Sequence, residues 1–324
     1  MIDPPGVLER INEALPANVR CESRRVESAR APLTCSSLQF RAYSVTRVTN
    51  GFSAKNMCDR RRYRYVLPEW ALHASASCEA DAAALPPMPD ATLAQLNALL
   101  ARFVGTHSFH NFTPRCAAGD RSALRYILSC SAMPARTVHG LRVVTLEVMG
   151  QSFMLHQIRK MVGATLCIIR GVLPVDFLDR ALLKSSQPIF TPMAPDLGLY
   201  LCECIFGAYN ERWAGSHEQL SLAGCGDAPA EFERQKVLGH IVATEQREGV
   251  FAAWLRELLE HRGAAPEETA GGDDDGGEDE EAHDSETRGG GRGRGRQGQR
   301  SRATDVEKDV RSPPAAAAAV SDAG

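Results

Sequence analysis

Apolar residues recur at helical spacing in LERINEALP (8–16), which Asp3-Pro4-Pro5-Gly6 opens and Pro16 stops. They recur again after Asp90 in ATLAQLNALLARFVG, where Leu93, Leu96, Leu100 and Phe103 share a face, with Asp90 the expected N-cap and Gly105 the terminator. GQSFMLHQIRKMVG (150–163) opens a further helix running through Ile169, because Phe153, Met154, Ile158, Met161 and Val162 return to one side and Gly171 follows. Pro174 sits at a first-turn position for a helix over 174–185. From Glu231 to Arg262 the pattern is helical, with Phe251, Trp254, Leu255, Leu258 and Leu259 on one stripe. That stripe must dock on the body, since left exposed it would promote aggregation.

Strand patterns are fewer. RYRYVLP alternates polar and apolar from Tyr63 to Leu67 and is stopped by Pro68. LRVVTLEVMG (141–150) reads as a strand, APDLGLYLCECIFG (194–207) as a turn and a strand, and GTHSFHNFT (105–113) as a loop. Helices and strands mix without a regular βαβ rhythm, which predicts an α+β fold with a mostly antiparallel sheet flanked by helices. Residues 21–44 keep no period and mix Ser, Arg and Ala, the mark of an insertion. No internal repeat is visible.

Composition changes this picture at the C-terminus. From Gly263 the chain runs through GGDDDGGEDEEAHD, RGGGRGRGRQGQR and PPAAAAAV, which offer too little apolar surface to offset the entropy of ordering, so 263–324 is expected to be a disordered tail. The net charge of −3 belongs to that tail: beyond residue 266 stand 15 acidic and 8 basic residues, leaving 29 basic against 25 acidic before it. A mildly basic body is compatible with a polyanionic partner. The ten cysteines are scattered without a CxxC; Cys202 and Cys204 have strand spacing and would face one side, but no ligand set completes them, so free thiols and no metal are expected. No run of about 18 apolar residues exists, so no membrane partner is expected.

Four stretches carry chemistry. GFSAKNMCDRRRYRYVLP (51–68), GTHSFHNFT, GQSFMLHQIRKMVGATLCIIRG (150–171) and APDLGLYL (194–201) stand in the order and approximate spacing of one family. The chain resembles the TruA-type tRNA pseudouridine synthases, in their eukaryotic branch, where K-N-x-C-D-x-R-x-Y-x-Y-x-L-P is typical; the resemblance spans Leu8 to Trp213 apart from the insertion. It implies the pseudouridine synthase fold and isomerisation of uridine in tRNA by an aspartate nucleophile, without cofactor or metal. Tyr63 matches the tyrosine that stacks near the target base, Arg159 the arginine that pairs with the aspartate, and Leu199 an apolar wall of the uracil pocket. Arg159 stands inside an apolar helix, where a guanidinium fork would hold a carboxylate ionised and oriented. The His, Asn and Thr of GTHSFHNFT are expected to contact RNA or brace the site, with Phe109 and His110 counted among the substrate-binding residues. Lys55, Arg62 and Arg64, within the basic cluster around Tyr63, are expected to meet phosphates. His107, His110 and His156 are too loosely placed for a metal site.

The family's G-R-T-D-x-G-V-x-A motif, which carries the nucleophile, has no match: Asp3, Asp59 and the RATD at 302–305 all lack its surroundings. The aspartate is expected upstream of Met1, and this chain is expected to be inactive as given. The resulting organisation is 1–20 as a remnant of an N-terminal half, 21–44 as insertion, 45–213 as the C-terminal half of the catalytic domain, 225–262 as a helical extension and 263–324 as tail. Alternatives are a truncated gene product, a non-catalytic RNA-binding protein and a scaffold acting through its tail. tRNA is the expected partner, with other RNAs left open; the protein is expected to be a monomer. The basic run of the tail points to the nucleus, with mitochondrion or cytoplasm as alternatives.

Overall fold

The computed structural model describes Arg10 and residues 42–82, 86–184 and 187–260. The helix expected over 8–16, most of the 21–44 insertion and the tail lie outside the described residues, as does the second of the chain's two contact units, Glu268–Gly324.

The described residues build one antiparallel sheet from β1 (Arg60–Pro68), β2 (Gly105–Ser108), β3 (Leu124–Ala132), β4 (Arg136–Val138), β5 (Leu141–Gly150) and β6 (Leu199–Ile205), in the order β2-β3-β5-β1-β6 with β4 paired to β5. The α+β architecture is as expected, but β2 lies where a loop was anticipated, and β3 and β4 were unread. β1 sits between β5 and β6: Tyr63 faces Val148 and Leu201, and Tyr65 faces Leu146 and Leu199. Residues two apart on a strand share a face, so Tyr63 and Tyr65 look to one side and Arg62 and Arg64 to the other. Val66 and Leu67, at the far end of β1, are wholly buried.

Helices flank the sheet: α1 (Asp90–Ala101), α2 (Gln157–Ile169), α3 (Phe177–Leu182), α4 (Gly207–Trp213), α5 (Gly239–Glu248) and α6 (Val250–Glu260). Several boundaries differ from the sequence pattern for local reasons. Pro89 is the N-cap of α1 and Asp90 its first residue, without a side-chain cap bond. α2 starts only at Gln157, because His156 takes a left-handed conformation (φ 62°) and ends the approach loop there. Phe153 and Met154 therefore pack from a loop. α3 is confined to Phe177–Leu182, and the C-terminal helix is broken at Gly249, whose φ of 61° closes α5 and frees α6 to turn.

The stripe on α6 does dock: Phe251 and Leu255 are fully buried, and Phe251 meets the Tyr65 ring edge-on at 6.1 Å. They join one core with Leu96 and Leu100 of α1, Phe103 just beyond it, and Ile158, Met161 and Leu166 of α2, each such burial contributing about 1.5–3 kcal/mol before entropy. α2 is buried on nearly every side. Its C-cap, Arg170, is 6% exposed and donates to the carbonyls of Ala71, His73 and Ala76, tying the helix end to the loop after β1. Among the described residues no helix is long and apolar enough to cross a membrane.

Candidate active site beneath the 189–198 strap

Arg159 stands in the first turn of α2, and its setting comes from the chain that crosses the helix. The Gln157 side chain reaches back to accept the Met154 amide at 2.8 Å, closing the turn that leads into α2, where His156 makes no side-chain cap bond. Across the helix, against Arg159 and Gly163, runs an extended strap, residues 189–198. It is pinned at one end by Asn111, whose Oδ1 accepts the Ile189 amide at 2.9 Å while its Nδ2 donates to Ala181 O at 3.0 Å. In the middle, Ala194 N donates to Arg159 O at 3.1 Å and Arg159 Nε donates back to Ala194 O at 2.8 Å. At the far end Tyr65 Oη donates to Pro195 O at 2.7 Å and Val66 N to Gly198 O at 2.9 Å.

Two glycines make this close approach possible. A Cβ on Gly163 would lie 2.2 Å from Pro192 O, and one on Gly198 would lie 2.3 Å from Val66 O and 3.0 Å from the Tyr65 ring. With glycine at both places the strap presses directly on α2 and β1. A four-residue turn from Asp196, closed by Leu199 N on Asp196 O at 2.9 Å, then delivers Leu199 into β6.

The guanidinium of Arg159 is half-buried, with Nε committed to the strap. Among the described residues no carboxylate lies within ion-pair distance of it. Its charge is felt by Tyr65, whose hydroxyl is pushed well above the usual tyrosine range by burial, against the pull of Arg159 and with Asp196 and Glu245 adding to the rise. Tyr65 is thus a neutral hydrogen-bond donor holding the strap.

Tyr63, two residues along the same face, is half-buried with Phe153 edge-on at 5.1 Å. Burial raises its hydroxyl, Arg61 opposes, and the Cys204 and Cys58 thiols add to the rise. Leu201 opposite it is 46% exposed and Leu199 half-buried. Tyr63, Phe153, Leu199 and Leu201 thus form an aromatic and apolar floor beside Tyr65, the strap and Arg159. A shelf of this kind can stack a planar base, and a part-buried guanidinium with free nitrogens can hold an anion next to it.

The other expected site residues lie elsewhere. Arg62 and Arg64 point to the opposite face: Arg62 pairs with Glu203 at 3.2 Å, and Arg64 with Glu147 at 3.0 Å and Glu233 at 2.7 Å. Burial would lower the Arg64 pKa, but the Glu233 and Glu147 bonds outweigh it and raise it; Tyr200, bonded to Glu233 at 2.5 Å, is raised by burial and by that carboxylate. Alternation along β1 explains the correction: the charges flanking Tyr63 in sequence cannot share its side of the sheet. Phe109 and His110 are 0% and 3% exposed, Phe109 stacked on Phe103 and His110 bonded through Nδ1 to Ser108 Oγ at 3.0 Å. Both side chains lie in the core, closed to a macromolecular ligand, and their neighbour Asn111 is the residue of that stretch that holds the strap. Lys55 is exposed on the turn Ala54–Met57. Cys202 and Cys204 face opposite sides, since the register shift opposite Arg62/Tyr63 makes Cys202 a bulge residue: Arg64 and Glu233 surround Cys202, whereas Cys58 and Arg61 surround Cys204.

Sequence reasoning missed Tyr65, Gly163 and Gly198 as site builders, whereas Asn111 belongs to the stretch expected to contact RNA or brace the site. The second tyrosine of RYRYVLP and the glycine of APDLGLYL were visible signals, but their partners are backbone atoms far away in sequence.

The mostly antiparallel sheet flanked by helices is the architecture the pseudouridine synthase resemblance implied. Residues 99–207 match the family model described as tRNA pseudouridine synthase. Over 269 residues the chain is 37% identical to "Pseudouridylate synthase 1 homolog" of Homo sapiens, covering 82% of this chain and 57% of the human protein. The mouse protein of the same name is 36% identical over 79% of this chain and 55% of its own length, and "tRNA pseudouridine synthase 1" of Candida albicans 31% identical over 51% and 27%. The chain is a relative of the TruA-type tRNA pseudouridine synthases of eukaryotes, and it spans about half the length of the curated relatives it matches.

Proposed function

We propose that this chain is a tRNA pseudouridine synthase, and that its Arg159 grips a nucleophilic carboxylate supplied from outside the described residues. The observation that carries this reading is the state of that guanidinium: half-buried, aligned by the strap, and without a carboxylate among the described residues. Leaving such a charge unpaired in an enzyme interior is costly, while a bidentate carboxylate offsets the desolvation and is itself held ionised. Asp196 does not serve, because it is exposed and opens the strap's turn.

In this reading a uridine is flipped out of the RNA stack at a cost of about a few kcal/mol. Stacking of the uracil on Tyr63, with Leu199 as apolar wall, recovers that cost. The carboxylate held by Arg159 attacks the ribose C1′ as the bond to N1 breaks; the freed uracil anion turns and attacks C1′ through C5, displacing the carboxylate, and the C5 proton is lost while the ring nitrogen regains one. In the same reading Tyr63, its hydroxyl kept protonated by its setting, stacks on the base and exchanges a proton. tRNA is the proposed substrate, a monomer the proposed state, and the nucleus the proposed location, the last resting on the Arg-Gly-rich run of the tail.

The test is to incubate the chain, and a form extended upstream through an R-T-D motif, with uridine-labelled tRNA and digest to nucleosides. The extended form should make pseudouridine and this chain alone none; turnover by this chain alone would overturn the assignment of the nucleophile. A second reading, binding of RNA without catalysis, is favoured by the same unpaired guanidinium and predicts tRNA binding that weakens steeply with salt but no turnover in either form.

A further inference from the structure

Next to the carbonyl that holds Arg159, the strap has a second anchor, and the C-terminal helix sets it. We infer that Tyr65, seated by Phe251 of α6, is a positioning residue for Arg159: its hydroxyl fixes the strap so that the guanidinium is aimed. The inference rests on the reading of Arg159 as the partner of a carboxylate and names what aligns it.

Two successive carbonyls carry the link. Arg159 Nε donates to Ala194 O at 2.8 Å, and Tyr65 Oη donates to Pro195 O at 2.7 Å. Between those oxygens the chain has little freedom. The Ala194–Pro195 peptide is planar and the proline ring locks φ, so one soft torsion, ψ of Pro195, relates the two. The Tyr65 bond holds that torsion, and both Ala194 and Pro195 are buried. With Nε spent on Ala194 O, the guanidinium keeps its two Nη nitrogens, which present an end-on fork to a carboxylate. Where Ala194 O points therefore decides where the fork points.

Tyr65 is fixed in turn by α6. Its side chain is wholly buried on β1, and its ring lies against Gly198, where a Cβ would come within 3.0 Å of it, and against Phe251, edge-on at 6.1 Å with 88° between the planes. Phe251 is itself 0% exposed and held in place at the start of α6: Glu245 of α5 accepts its amide at 2.8 Å, and the left-handed turn at Gly249 sets the direction of the helix. The path runs from Glu245 through Phe251, Tyr65, Pro195 and Ala194 to Arg159. A helix that sequence reasoning placed in an extension beyond the catalytic domain thus helps to aim the guanidinium.

The full chain labelled with 15N-arginine reads this link without turnover. The Arg159 Nε–H signal, identified by its loss in Arg159→Lys, should exchange with solvent about tenfold faster in Tyr65→Phe, the weight of roughly one hydrogen bond. The Arg64 Nε–H, bonded to Glu147 at 3.0 Å on the other face of the sheet, should keep its rate. Phe251→Leu, which keeps an apolar side chain but loses the ring edge, should shift the Arg159 signal in the same direction. An unchanged Arg159 rate in Tyr65→Phe, or an equal acceleration at Arg64, would overturn the inference. In the upstream-extended enzyme Tyr65→Phe should lower kcat by about tenfold and leave KM for tRNA within about twofold; an unchanged kcat would equally overturn it. If the extended parent makes no pseudouridine, the synthase reading fails and the arginine signals alone decide the link.

Discussion

Replacing Gly163 by alanine sets two physical effects against each other. Gly163 lies inside α2, where alanine should stabilise a helix by about 1 kcal/mol. The same Cβ would sit 2.2 Å from Pro192 O, and ordinary contact begins at 3.4 Å, so strap and helix must part by about 1.2 Å. Packing of this kind costs about 1–3 kcal/mol. Parting also stretches the pair of bonds between Arg159 and Ala194, at 2.8 and 3.1 Å, whose loss costs about 1–3 kcal/mol because one donor is charged. Sterics win, and Gly163→Ala should destabilise the chain by about 3 kcal/mol net. Urea unfolding followed by fluorescence of Trp70, Trp213 and Trp254 reads this directly. A variant as stable as the parent, or more stable, would refute the claim that the strap presses on α2 and positions Arg159.

Arg64→Ala should leave Glu147 with only the longer Arg62 contact and Glu233 with only the Tyr200 hydroxyl, and cost about 1–3 kcal/mol of stability, discounted for the part-exposed setting; the salt dependence of tRNA binding, measured by titration, should change little. Glu245 accepts the Phe251 amide at 2.8 Å, and burial raises its pKa despite that bond. A folded carboxyl raised above its unfolded value contributes stability that is full below the unfolded pKa and lost as pH rises through the folded one. Glu245→Gln keeps an acceptor for the Phe251 amide and removes the titration, so its Tm relative to the parent should be higher at neutral pH than in mild acid; an unchanged difference would contradict this.

How much of this was legible in sequence divides along a physical line. β1, β5 and β6, α1 and the core of α2 follow from periodicity, because burial on one side writes itself into the pattern. LRYILSCSA escaped notice because the register shift between Ile127 and Ser129 breaks its alternation, and GTHS is too short to show one. The ends of α2 and α5 rest on His156 and Gly249 taking positive φ. In the site, motif resemblance located Tyr63, Arg159 and Leu199, all of which the fold gathers around one face. It misjudged Arg62 and Arg64, because a basic cluster in sequence says nothing of the glutamates that folding brings opposite. The strap was invisible for the same reason: its contacts run to backbone oxygens and to places where a side chain is absent.

The central claim is that Arg159 serves as the partner of a carboxylate, and its most direct measure is pseudouridine formation by the upstream-extended enzyme carrying Arg159→Ala. Turnover on tRNA should fall by about a thousandfold or more, on the order of 4 kcal/mol of barrier, with tRNA affinity nearly kept. Added guanidinium ion should restore part of the rate. Turnover within a few-fold of the parent would contradict the account.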